Sequence, residues 1–172
     1  MDIKDVMEMA IKAGAVEQVS KMMGVSDKEA SSAIAEILPV LIQGMQGQAK
    51  GKDTKEGFLK ALDDHGKDDT SDIGKFIKNI DLDDGAKIVN HLLGSKEKEE
   101  VAAKAGKKSG LDAGTIIKIM AIVAPILMTQ MGKKANNEAK NSSSGDMGGI
   151  VGSLLDNVDV GDVIKIAGIL LK

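Results

Sequence analysis

Hydrophobic residues recur at intervals of three and four over long stretches of this chain, which predicts helices. The clearest stripe runs along one helical face: Ala30, Ala33, Ile34, Ile37, Leu38, Leu41, Ile42 and Met45. A similar spacing over residues 3–22 ends at Gly24, a residue that commonly terminates helices. The pattern therefore predicts an all-α fold, with residues 1–172 forming a single helical domain.

Four polar residues stand where helices should begin. Ser26 and Glu29, in "SDKE", have the spacing of a capping box, in which each side chain accepts a hydrogen bond from the other residue's backbone N–H. Asp81, Asp112 and Asp159 each precede a helical run, so we expect each to cap a helix.

Two pairs of segments indicate an internal duplication. Residues 24–50 align with residues 110–136 without gaps and share six of 27 positions, including the glycine and the proline. Residues 73–94 align with residues 151–172 and share eight of 22 positions. Because the blocks recur in one order, we interpret the chain as two pseudo-repeats, residues 3–94 and 95–172.

Each pseudo-repeat carries one proline inside its long central helix, Pro39 in the first and Pro125 in the second. A proline inside a helix removes one hydrogen bond and crowds the carbonyl four residues earlier, at a cost of about 3 kcal/mol. We expect both helices to kink there. The kinks would let the helices share a core, or the freed carbonyls would form a polar spot for a partner.

The segment over residues 133–149 is rich in glycine, serine and asparagine, and we expect it to be flexible.

Composition narrows the functional classes. The chain has no cysteine, arginine, tryptophan or tyrosine and a net charge of −3, which disfavours nucleic-acid binding and thiol chemistry. The start, "MDIKDVMEMA", lacks the features of a secretory signal, so we expect a cytoplasmic protein. The apolar run over residues 115–128 is shorter than the roughly 20 residues of a membrane span and favours a core helix.

Residue types that could support catalysis have simpler explanations here. Asp81 with Asp84, and Asp159 with Asp162, resemble acid–base pairs, but helix capping accounts for their positions. The cluster "DDHGKDD", residues 63–69, lacks the ligand spacing of a calcium loop, and we expect a solvated acidic turn. We therefore propose no catalytic, metal or cofactor residue and expect the protein not to be an enzyme.

The hydrophobic helices suggest contacts with other proteins. Met120, Met128 and Met131 lie on the second proline helix, and such methionines either fill a core or line an adaptable groove. That helix is apolar nearly all round, so several elements or another chain must cover it. A partner protein or a second copy of the chain could use these methionines together with Ile166 and Leu170. The alternative is membrane-surface binding by the C-terminal segment "DVIKIAGILLK".

Three segments resemble successive blocks of the YidB-like bacterial family, a domain of unknown function. They read "GVSDKEASSAIAEILPVLIQGM", "DDGAKIVNHLLG" and "SGLDAGTIIKIMAIVAPILMTQM". The resemblance implies an all-helical bacterial protein with no established activity, substrate or cofactor.

Overall fold

The computed structural model describes residues 8, 14–156, 161 and 165, and within them the chain forms seven helices and no strand. The helices are α1 (Ala15–Met23), α2 (Asp27–Lys50), α3 (Lys55–His65), α4 (Ile73–Lys78), α5 (Leu82–Ser109), α6 (Ala113–Asn141) and α7 (Met147–Asp156). The prediction of an all-helical fold is confirmed for this part of the chain.

The predicted helix starts are found where the structure describes them. Ser26 Oγ accepts the Glu29 N–H at 3.1 Å, and Glu29 Oε2 accepts the Ser26 N–H at 2.9 Å, which completes the capping box of α2. Asp81 caps α5, and Asp112 caps α6 by accepting the Thr115 N–H at 2.8 Å. Asp159 lies outside the described residues.

The junctions before α2 and α6 have the same local form. Gly24 and Gly110 both adopt the left-handed conformation, with φ of 67° and 80°, and each N–H binds a carbonyl four residues earlier. The two caps also match, since Ser26 has φ −71° and ψ 157° and Asp112 has φ −73° and ψ 158°. The likeness is local, and the duplication stays a prediction because the counterpart of residues 79–94 lies almost entirely outside the described residues.

Helix α5 consists of two arms that meet at Gly94, whose φ of 75° and ψ of 162° are not helical. The first arm covers residues 82–93 and the second covers residues 95–109. This break falls where the alignment divides the chain into pseudo-repeats, although the repeat boundaries themselves stay predictions.

Helix α6 forms the centre of the fold. It packs most extensively against α5 and also contacts α1, α2, α3 and α7. By length and composition alone it could cross a membrane, but 72% of its most apolar window is buried inside the fold. This burial supports its interpretation as a core helix.

Both prolines lie inside continuous helices. Pro39 is within α2 and Pro125 within α6, and neither helix is interrupted at its proline. Whether each helix bends there stays a prediction.

The segment predicted to be flexible, residues 133–149, is helical over most of its length. Helix α6 continues to Asn141, and α7 begins at Met147. One face of this polar extension is packed: Ala135 is fully buried and the Lys134 side chain is only 10% exposed. Flexibility of the segment over residues 133–149 stays a prediction.

Candidate functional site

The acidic turn that follows α3 is attached to the core helix α6. Thr129, which is fully buried on α6, donates its hydroxyl hydrogen to Asp68 Oδ2 at 3.1 Å, and His65 Nδ1 lies 3.2 Å from the same oxygen. Lys133 Nζ donates to the backbone carbonyl of Asp68. The turn is solvated as predicted, with the Asp68 side chain 42% and the Asp64 side chain 58% exposed, but Asp68 is also held by a residue 61 positions further along the chain.

Two glycines allow α3 and its turn to approach α6 closely. A Cβ atom built on Gly132 would lie 2.0 Å from the Leu62 carbonyl oxygen, and one built on Gly66 would lie 2.7 Å from the Gly132 carbonyl oxygen. No side chain fits at either position without movement of the backbone. The close approach sets the position of the turn.

The turn, α4 and the start of α5 enclose a cleft of about 550 Å³ over the middle of α6. Its apolar surface comes from Phe76, Ile80 and Pro125. Five carboxylates line the rest, from Asp68, Asp69, Asp72, Asp81 and Asp84. The other polar lining residues are His65, Ser71, Lys75 and Asn79.

Local hydrogen bonds hold several of these carboxylates in place. Asp72 caps α4 by accepting the Lys75 N–H at 3.1 Å, and Asp81 accepts the Asp83 N–H at 2.9 Å at the start of α5. Both residues are exposed, and a carboxylate has more acceptor sites than these bonds use. The caps therefore also place negative charge at the cleft.

The charge on Asp69 is favoured by its neighbours. Hydrogen bonds from Ser71, including its backbone N–H at 3.0 Å, are the main cause that lowers the pKa of Asp69, and the positive charges of Lys133 and Lys75 act in the same direction. Asp69 is therefore ionised at neutral pH. With five carboxylates against one lysine and one histidine, the cleft presents net negative charge beside an apolar surface.

The described residues contain no group of three or more carboxylate or histidine side chains that could hold a metal ion.

The methionines predicted to contact a partner are core residues. Met120 is 0%, Met131 1% and Met128 2% exposed, so all three side chains are buried in this fold. Met128 also borders a second depression, lined by Phe58, Ile88 and Leu92 among others. Ile166 and Leu170, the other predicted contact residues, lie outside the described residues.

Sequence reasoning did not identify the cleft. Two of its apolar residues, Phe76 and Ile80, are close in the chain, but Pro125 is 45 residues beyond Ile80, and only the fold brings it to them. One signal was available, since Asp72 stands three residues before Lys75 at the start of an apolar run and could have been recognised as a helix cap.

Comparison with known proteins gives a family and no function. Residues 5–134 match the model of a family described as bacterial protein of unknown function, DUF937. The YidB-like family is the same family, so the resemblance is confirmed. The matched range includes both proline helices up to residue 134 and every residue of the cleft. No curated protein and no solved structure matches the chain.

Proposed function

Since the chain belongs to DUF937, a family of bacterial proteins of unknown function, we propose its role from its own geometry. The protein is a non-catalytic helical module that acts through protein contacts, and the cleft over Pro125 is the binding surface. The observation that carries this proposal is the combination of an apolar surface with a carboxylate rim in one open cavity.

The chemistry of the cleft identifies the class of partner. An occupant that places an aliphatic side chain on Phe76 and Ile80, and a lysine or arginine beside Asp69 or Asp84, would match both parts of the lining. Complementary charges at the rim steer association and select against unsuitable partners. We therefore propose that a cationic, partly apolar protein segment binds there.

The same electrostatics argue against a nucleic-acid partner. Phosphate groups would meet the carboxylate rim, and the chain as a whole carries a net charge of −3. Binding to nucleic acid normally needs a basic surface that releases counterions.

Self-association through α6 is less favoured than binding at the cleft. Helix α6 is covered by five other helices of the same chain, so its apolar surface does not require a second copy. The membrane alternative depends on residues 162–172, of which only Lys165 is described, and no described feature favours it.

A peptide array tests the proposal directly. The full chain would be applied to an array of 12-residue peptides that vary independently in basic and aliphatic content. We expect binding to peptides that contain both lysine or arginine and leucine or isoleucine, with affinity decreasing as salt concentration rises.

Paired variants then locate the binding surface. Asp69→Asn with Asp84→Asn removes two rim charges, and we expect binding to weaken by about threefold to tenfold, as for partly exposed charge pairs. Glu97→Gln with Glu99→Gln makes the same charge change on exposed positions of the second α5 arm and should leave binding unchanged. Equal weakening by both double variants, or no peptide binding at all, would contradict the proposal.

A further inference from the structure

We draw no further inference here: the strongest candidate, the depression of about 380 Å³ between α2, α3 and α5 with Phe58, Ile88, Leu92 and Met128 in its apolar lining, carries none because nothing in the structure shows what covers it.

Discussion

Helices α2 and α6 begin alike and are buried differently. Each follows a left-handed glycine and a capping residue, and each carries a proline thirteen residues after its cap. In α6, eleven consecutive residues are buried, from Ile119 to Thr129. In α2 the buried residues follow the helical period, and Pro39 remains partly exposed. The same local sequence pattern thus begins both α2, which is buried mainly on one face, and α6, which is buried on all sides over its middle.

Neighbouring elements cause this difference. The first arm of α5 crosses α6 so closely that a Cβ atom on Gly85 would lie 1.9 Å from the Ala121 carbonyl oxygen. Ala121 is four residues before Pro125, which has no N–H to donate to that oxygen. The proline therefore frees a carbonyl at the point where Gly85 lets a second backbone approach.

Truncation of the aligned residues Ile126 and Val40 should give the largest difference in stability loss between the two helices. Ile126 is 7% exposed on α6, whereas Val40 is partly exposed on α2. We expect Ile126→Ala to lower the free energy of unfolding by about 3 kcal/mol, because it leaves a cavity in the core. Val40→Ala should cost less than about 1 kcal/mol, since solvent already reaches that side chain. Urea unfolding followed by circular dichroism measures both, and equal losses would show that burial does not separate the helices.

Substitution at the crossing of α5 over α6 should cause the next largest loss of stability. Gly85→Ala forces two backbones apart, and we expect a loss of about 2 kcal/mol in the free energy of unfolding. Gly47→Ala on α2 is the matched control, because its new methyl group would meet no atom within 4 Å. That control should gain up to about 1 kcal/mol from better helix propensity. If Gly85→Ala stabilised the protein as Gly47→Ala does, the close crossing would be disproved.

The cap at the start of α2 should contribute less to the free energy of unfolding than either packing feature. Ser26→Ala removes one half of the capping box, and we expect a loss of about 1 kcal/mol in the free energy of unfolding. Ser32→Ala, a substitution of the same kind inside α2, should be neutral or slightly stabilising. Thermal or urea unfolding of the two variants measures the difference, and a neutral Ser26→Ala would mean that packing alone determines where α2 begins.

The two caps should differ in their response to acid. Hydrogen bonds from Thr115 are the main cause that lowers the pKa of Asp112 below its ordinary value of 3.8. Because the folded-state pKa is the lower one, the cap charge stabilises the fold above pH 3.8, and this contribution is lost as pH falls through the folded pKa.

Asparagine variants isolate this small effect. Asp112→Asn keeps a capping side chain without the charge, so its stability difference from the unmodified protein should shrink as the pH is lowered from 7 to about 2.5. Ser26→Asn is the control, because neither the serine hydroxyl nor the asparagine amide titrates in this range, and Glu29, the other half of the capping box, is present in both proteins. Unfolding by urea at several pH values measures both differences. If the stability difference between Asp112→Asn and the unmodified protein did not change with pH, the charge of Asp112 would make no contribution to this cap.

Local features were predictable in detail, and contacts between distant residues were not. The caps at Ser26, Asp81 and Asp112 involve residues two or three positions away, so spacing in the sequence was sufficient to identify them. The contact between Asp68 and Thr129 joins residues 61 positions apart. No periodic pattern could reveal it, and the acidic turn was therefore expected to be solvated.

The sequence by itself determined the helical class, the starts of α2, α5 and α6 and the glycines that end α1 and α5, because these depend on hydrogen bonds within a few residues and on the hydrophobic period. The family also followed from local blocks of sequence. Only the tertiary structure decided that α6 is the central helix and that its methionines are core. It also decided that residues 133–141 extend that helix, and that the apolar and acidic residues of the cleft meet over Pro125. Burial and cavity shape depend on which helices pack together, and this packing is set by contacts across the chain that no single segment specifies.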